Sequence, residues 1–117
     1  MKIVNESPYY PIIQEFCLAL DNTTEDYPRN NITFKVNKRI FMLTDARAPF
    51  AITVKSDPEK NKYLLEHPHI SVASYLGRFG WLTITIDNYD TLELAKELIW
   101  ESYLIVTKQK PKKKRKI

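Results

Sequence analysis

The side chains with the clearest chemical potential are basic ones, and they are concentrated at the end of the chain. The last ten positions, Lys108 to Ile117, hold seven positive charges and no negative one. Positions 1–107 hold the other 11 of the 18 basic residues against all 14 acidic ones, so this body carries about −3 and the tail about +7. A dense positive run attracts polyanions through its local potential and through release of their counterions. The net charge of +4 therefore describes a basic tail and not a basic domain.

The tail residues that we predict to neutralise phosphate groups are the most densely spaced ones: Lys112, Lys113, Lys114, Arg115 and Lys116. Three interpretations of this run stay open, namely nonspecific contact with nucleic acid, a solvated tail that only aids solubility, and a nuclear-import signal. The import interpretation needs a eukaryotic or viral setting, which the sequence does not establish.

A second candidate is the segment Tyr75-Leu76-Gly77-Arg78-Phe79-Gly80-Trp81, which contains both glycines of the chain. Because glycine permits positive φ and close backbone approach, the segment predicts a sharp turn that orients Arg78 and Trp81. An arginine beside aromatic rings can contact phosphate and stack on a base. The alternative is a hairpin connection whose aromatic rings pack on the sheet edge. A Walker phosphate-binding loop is excluded because its Gly-Lys-Ser/Thr ending is missing.

The other reactive side chains do not form a metal-binding or acid–base set. Glu25 and Asp26 are adjacent, so their side chains rarely face one site, and the polar residues before them favour a turn. His67 and His69 flank Pro68 without a neighbouring cysteine or carboxylate, which is a weak metal signal. The sequence therefore predicts no metal and no cofactor.

Ser102 has no plausible catalytic partner in the sequence, and we predict that its hydroxyl bonds back to the Leu98 carbonyl of its own helix. Without a nucleophile and a base at related positions, we predict that the protein is not an enzyme.

Length and composition limit the class of protein. A chain of 117 residues with 44% hydrophobic residues is long enough for one domain with a real core. The single cysteine, Cys17, lies among apolar residues and is predicted to be buried. No apolar run typical of a signal peptide or of a membrane span occurs. We expect a soluble, cytoplasmic protein without a membrane partner.

The hydrophobic periodicity places these residues on a regular set of elements. We predict a helix over 8–20, a turn-rich connection with a short edge strand over 21–31, strands over 32–36, 39–44 and 50–55, a short helix that ends by 67, strands over 70–74 and 81–86, and a helix over 90–108. Asn37-Lys38 forms the turn between the first two strands of this series. The cap of the last helix is assigned to the run that begins at Asp90 and includes Glu93.

This order predicts an α+β fold, in which the N- and C-terminal helices pack on one face of an antiparallel sheet of five to six strands. Residues 1–108 form a single domain, and residues 109–117 form a basic tail.

The predicted sheet leaves one face open. If Phe34, Ile52, Val54, Leu82 and Ile84 point to the helices, then Thr33, Lys35, Thr53, Lys55, Trp81, Thr83 and Thr85 point away. We predict that Lys35 and Lys55, together with Arg78, contact phosphate groups and that Trp81 stacks on a base. The alternative is an ordinary solvated face, which antiparallel sheets normally have.

Trp100 and Leu104 fall on the polar side of the last helix, one turn apart. We predict an exposed apolar pair that contacts a second subunit or another protein. The alternative is that the N-terminal segment with Tyr9 and Tyr10 folds over the pair.

Several motifs together resemble one family. They are Cys17-Leu18-x-Leu20, Thr24-Glu25-Asp26-x-Pro28, Phe34-Lys35-Val36-x-x-Arg39-Ile40-Phe41, Leu76-Gly77-Arg78-Phe79-Gly80-Trp81, Glu97-Leu98-Ile99, Ser102-Tyr103-x-x-Val106 and Pro111-Lys112-Lys113-Lys114. In this order they are similar to the MmcQ/YjbR family. The resemblance implies a CyaY-like fold with a frataxin-like outline, suggests DNA binding, and brings no enzymatic activity with it.

The chain also departs from the family pattern. Gly80 and Tyr75 stand where many members carry histidine near these places, and Arg29 stands where an apolar residue often follows the proline. Any role that needs those imidazoles is therefore not expected here. Frataxin-type iron binding is not expected either, because the first helix offers only Glu15, with Asp21 at its end.

The sequence thus predicts weak, largely nonspecific and salt-sensitive DNA binding through the basic tail and the open sheet face. The alternative function is a protein-interaction or dimerisation module that uses Trp100 and Leu104 and has no nucleic-acid role.

Overall fold

The structure is a computed structural model that describes residues 7–28, 31–45, 49–74 and 76–108, with the backbone alone at Arg78. The helices are α1 (Tyr10–Leu18), α2 (Pro58–Leu64) and α3 (Tyr89–Thr107), with a 3₁₀ turn at Gly77–Phe79. The strands are β1 (Thr23–Asp26), β2 (Ile32–Val36), β3 (Arg39–Thr44), β4 (Ala51–Lys55), β5 (Ile70–Val72) and β6 (Trp81–Thr85). The tail at 109–117 lies outside these residues.

The strands of the described ranges form one antiparallel sheet of six, in the order β1-β2-β3-β4-β6-β5. The first four strands follow one another as a meander. The chain then crosses by way of α2 to the far edge and returns through β6 to the middle of the sheet. This architecture confirms the predicted α+β class, including the short strand at the β1 edge.

The β2–β3 hairpin has the turn that its residues favour. Asn37 and Lys38 both take positive φ, 52° and 70°. Two successive positive φ values are the signature of a type I′ turn, whose twist matches that of the flanking strands. The predicted turn is confirmed.

A bulge interrupts the same hairpin two residues later. Phe34 pairs with Met42, whereas Lys35 pairs with Ile40, so Phe41 is the extra residue of β3. Phe41 and Met42 are both fully buried, and the Phe41 ring packs edge-on against Tyr103 of α3. The bulge thus adds a second core side chain and changes the direction of β3 near its start.

The core lies between the sheet and the two terminal helices, which pack on one of its faces. It is built from alternate strand positions and from one stripe of each helix: Phe34, Val36, Ile52, Val54, Leu82, Ile84, Ile13, Cys17, Leu92, Ala95, Leu98 and Ile99. Cys17 is buried as predicted, and burial raises the pKa of its thiol far above the ordinary value.

The long helix α3 begins earlier than the sequence indicated. Asn88 is its N-cap: the Asn88 side chain accepts a hydrogen bond from Thr91 N (2.8 Å), and Thr91 Oγ1 accepts one from Asn88 N (3.1 Å). The predicted cap at Asp90 and Glu93 is therefore wrong. Asp90 lies in the first turn, where its negative charge interacts favourably with the positive end of the helix dipole.

No helix within the described ranges is long and apolar enough to cross a membrane.

Candidate nucleic-acid interface

The face of the sheet away from the helices carries Thr53, Lys55, Trp81 and Thr83, as predicted, whereas Thr33, predicted for the same open face, is buried. Thr53 pairs with Thr83 across β4 and β6, and their hydroxyl oxygens lie 2.9 Å apart. One row further along, Lys55 pairs with Trp81, and the Lys55 ammonium lies over the indole ring, 5.8 Å from its centroid. Lys55 and Trp81, predicted from separate segments, therefore form one local unit.

Lys35 also lies on the open face, but its charge has a partner. Its ammonium is 3.2 Å from a carboxylate oxygen of Asp26 on the neighbouring strand. The hydrogen bond from Lys35, followed by that from the Tyr27 backbone, lowers the pKa of the Asp26 carboxyl. Asp26 thus stays charged and competes with any phosphate for Lys35.

Ser102 separates β3 and β4 at the end of the sheet near Lys55. Continuing the register beyond Met42 and Val54 would bring Phe41 opposite Lys55. Instead, the Ser102 hydroxyl donates to the Phe41 carbonyl (2.6 Å) and accepts from the Lys55 N–H (3.0 Å). The predicted bond from Ser102 to the Leu98 carbonyl is wrong, because the hydroxyl bonds instead to backbone groups of the two neighbouring strands.

The separated strand ends border a pocket of about 300 Å³, at the low end of volumes typical of small-molecule sites. Its apolar lining consists of Ile40, Trp81, Ile105 and Val106. Its other lining residues are basic: Arg39, Lys55 and Lys108. We call this the cationic pocket.

The cationic pocket has no carboxylate among its described lining residues. Glu101, one turn before Ile105 on α3, is paired instead with Lys60 at 3.5 Å. The C-terminus of α3 contributes a partial negative charge equivalent to about −0.5. Since three full positive charges outweigh it, the pocket is suited to an anion.

Lys108 connects the cationic pocket with the tail. It is the C-cap of α3, with a left-handed φ of 61°, and it is the last residue that the structure describes. The chain therefore enters the tail from the rim of the pocket. The phosphate contacts predicted for Lys112, Lys113, Lys114, Arg115 and Lys116 lie outside the described residues and stay predictions.

The glycine-containing segment fixes the start of β6. Gly80 takes a positive φ of 92°, and its carbonyl accepts hydrogen bonds from Ser56 N (3.1 Å) and Asn61 Nδ2 (3.4 Å). A Cβ at Gly80 would also approach the Ser56 carbonyl. The predicted sharp turn is confirmed, and it holds Trp81 in place. The predicted contact from Arg78 concerns a side chain outside the described atoms.

Glu25 has a structural role at the β1 edge. Its carboxylate accepts hydrogen bonds from Tyr10 Oη (2.9 Å), Tyr27 Oη (2.6 Å) and Gln14 Nε2 (3.1 Å). These bonds join α1 to the first strand. Glu25 and Asp26 thus point to opposite faces, as expected for neighbours in a strand.

The two histidines do not form a metal site with other residues of the described ranges. His69 Nε2 lies 3.0 Å from a carboxylate oxygen of Asp87, and His67 Nδ1 accepts a hydrogen bond from the His69 backbone. These contacts fasten the start of β5 to the end of β6.

The predicted exposed pair on α3 is only half present. Trp100 is 44% exposed and stacks on Tyr103, with 5.7 Å between ring centroids. Leu104 is buried at 7% exposure, so the prediction that it is exposed is wrong. Leu104 belongs to the hydrophobic cluster that also includes residues of α1, and α1 packs against α3.

Sequence reasoning missed Arg39 and Lys108 as members of the site. A signal for Arg39 existed, since antiparallel pairing places the start of β3 beside the end of β4, where Lys55 lies. Lys108 offered no such signal, because its place depends on the direction of α3 across the sheet.

Comparisons with known proteins bear on this fold and this site. The crystal structure of a protein from Pseudomonas syringae is similar, with a TM-score of 0.67 and 16% sequence identity over 83% of this chain and 97% of that one. At this identity the likeness shows the fold alone. No curated protein matches the chain in sequence. The sequence model of the YjbR family matches residues 18–105, from the end of α1 to the lining of the cationic pocket. Because this match covers most of the chain, the protein belongs to the YjbR family.

Proposed function

We propose that the protein binds DNA weakly and largely without sequence preference, through the basic tail and the cationic pocket together. The observation that carries this proposal is the meeting of Arg39, Lys55 and Lys108 in one pocket with no described carboxylate, at the point where the tail begins. Phosphate contacts of this kind fix position without reading bases. The proposal includes no catalytic step and no cofactor.

The charge distribution supports low affinity. The body outside the tail carries about −3, which repels a polyanion over most of the surface. Lys35 adds little because Asp26 neutralises it. The contact area is thus limited to one end of the sheet and the tail, which fits a small number of phosphates. The cytoplasmic location predicted from the sequence remains part of this proposal.

The test is fluorescence anisotropy with labelled DNA over a series of salt concentrations. The logarithm of the binding constant should fall linearly with the logarithm of salt, by about 0.9 per phosphate neutralised on duplex DNA. A chain that ends at Lys110 keeps every core side chain, since the last of them is Val106. We expect this shorter chain to bind more weakly and with a smaller salt slope.

Lys96 offers a matched control for charge. It is paired with Glu93 on α3, and at 1.5 Å rise per residue it lies about 18 Å along the helix from Lys108. Lys96→Ala should leave DNA affinity nearly unchanged, whereas Lys55→Ala should weaken it. If the full chain binds no DNA even at low salt, the proposal is refuted.

A second candidate function is protein interaction through Trp100. The supporting observation is that this large ring is 44% exposed on the outer side of α3. Burying it against a second copy or another protein would remove apolar surface from water. Leu104 no longer belongs to this candidate, since it is buried. A chain that remains monomeric at high concentration, with Trp100→Ala behaving identically, would exclude self-association.

A further inference from the structure

We propose that the cationic pocket prefers unpaired nucleotides to base-paired ones, with the cations holding a phosphate and Trp81 stacking on the base attached to it. This inference rests on the proposed function and deepens it by naming the form of nucleic acid. The shared chemistry is a phosphate next to a free aromatic base, which single-stranded DNA and RNA both supply.

The first argument is the rigidity of the Trp81 platform. Trp81 begins β6 in register with Lys55, and its carbonyl accepts a hydrogen bond from Ala73 N (3.2 Å). Gly80, the residue before Trp81, is fixed as well, because its carbonyl accepts a hydrogen bond from the Ser56 N–H just before α2. The backbone that carries the ring is therefore already ordered, which lowers the entropy cost of stacking a base on it.

The second argument concerns the Lys55 ammonium that now lies over the ring. An exposed cation–π contact is weaker than the stacking of a nucleic-acid base on an aromatic side chain. A base can therefore displace the ammonium. The freed ammonium remains in the pocket that Arg39 also lines, where it can bind the phosphate.

The third argument separates single strands from duplexes. In a duplex each base is already stacked on its neighbours, so an indole ring reaches a base face only if the stack is broken. Duplex DNA can use the basic side chains alone, whereas an unpaired strand uses the basic side chains and Trp81. The pocket thus favours the unpaired form.

The experiment uses the full chain with Trp100→Phe. The sequence has two tryptophans, so this substitution leaves Trp81 as the sole tryptophan whose emission is measured. This protein is titrated with oligodeoxythymidylate, with oligouridylate, and with a hairpin duplex of equal phosphate number whose loop is a linker without bases. We expect both single strands to quench Trp81 emission and to bind about tenfold more tightly than the hairpin at equal salt. Preference for one of the two single strands would identify which of them is the better source of the unpaired base.

Two variants in the full chain complete the test. Trp81→Leu should remove the preference for single strands while the salt slope for the hairpin stays unchanged, and Lys96→Ala should alter neither. Circular dichroism melting checks that Trp81→Leu folds, and the quenching experiment does not depend on this variant.

The outcomes separate this inference from the proposed function. Equal affinity for hairpin and single strands without quenching of Trp81 would overturn the preference alone. Absence of binding to all three probes would overturn the proposed function together with it.

Discussion

Two of the pockets formed by described residues contain basic side chains, and they differ in what surrounds those charges. The larger, about 580 Å³, lies at the β1–β2 edge and combines Lys35 and Lys38 with Glu25 and Asp26. The cationic pocket is about half that size, 300 Å³, and its basic side chains meet no described carboxylate. Volume alone would favour the first pocket as the candidate nucleic-acid site. The uncompensated positive charge beside an aromatic ring favours the second.

The difference arises from the elements that form each pocket. At the β1 edge, Lys35 of β2 forms an ion pair with Asp26 of β1, and the Glu25 carboxylate is bonded to Tyr10, Tyr27 and Gln14. At the cationic pocket, Ser102 bridges the ends of β3 and β4, and the register of β4 against β6 places Lys55 beside Trp81, near the end of α3. Two positions on the same sheet face thus have different chemistry.

The largest expected effect comes from Ser102→Ala, which removes the hydroxyl that holds the cationic pocket open. The Phe41 carbonyl and the Lys55 N–H would lose their partner in a buried place. A buried polar group without a partner costs about 1–3 kcal/mol, so we expect the free energy of unfolding to fall by about that amount. Urea denaturation of the variant and of the parent chain measures it.

Ser102→Thr keeps the hydroxyl and serves as the matched control, although its extra methyl group must be accommodated. If Ser102→Ala were as stable as the parent chain and bound DNA equally well, the hydroxyl would not be needed to separate the strands, and the comparison of the two pockets would lose its structural cause.

The next effect compares Lys55→Ala with Lys35→Ala in DNA binding. Loss of one phosphate contact should reduce the salt slope by about 1, which we expect for Lys55. Lys35→Ala should change the slope much less, because Asp26 already neutralises that ammonium. Anisotropy titrations at several salt concentrations measure both. Equal slopes for the two variants would show that the ion pair does not distinguish the pockets.

These differences indicate how far the sequence alone can lead. The β2–β3 hairpin was predictable because alternation and the turn residues Asn37 and Lys38 are local features. The bulge at Phe41 was not, since two adjacent apolar residues carry no sign of which will be the extra one. Likewise, Leu104 is buried in a cluster that includes residues of α1, which is more than 80 residues away in the sequence, so the periodicity of α3 alone does not reveal its burial.

The sequence was sufficient to identify the residues of the candidate site that lie on the sheet face. It was not sufficient to predict which residues from other elements lie beside them. Lys55 and Trp81 were identified from strand alternation, and the structure pairs them. The ion pair between Lys35 and Asp26 depends on the register of β1 against β2, which a four-residue strand with little apolar content does not define. The meeting of Lys108 with Arg39 depends on the packing of α3.

A smaller effect is expected from a substitution that makes the pocket at the β1–β2 edge more like the cationic pocket. Asp26→Asn removes the counter-charge of Lys35 while it keeps the shape of the side chain. We expect DNA affinity at low salt to rise and the salt slope to increase by up to about 0.9, since one more ammonium becomes available for phosphate. The double variant Asp26→Asn with Lys35→Ala is the control and should lose this gain. Unchanged binding in Asp26→Asn would mean that nucleic acid does not reach the β1 edge.

The smallest effect concerns the carboxylate that organises the charge-balanced edge. The hydrogen bond from Tyr27 to Glu25 raises the pKa of the Tyr27 hydroxyl to about 12, from an ordinary value near 10. Because the folded pKa is the higher one, this bond stabilises the fold fully below about pH 10 and ceases to do so as the pH rises through about 12. Half of the Tyr27 side chain is exposed, so the stabilising contribution is small.

Ultraviolet titration should show one tyrosine fewer ionising at high pH in Tyr27→Phe than in the parent chain. If Tyr27→Phe removed a tyrosine that ionises near pH 10, Glu25 would not hold the Tyr27 proton, and the charge balance at this edge would rest on Asp26 and Lys35 alone.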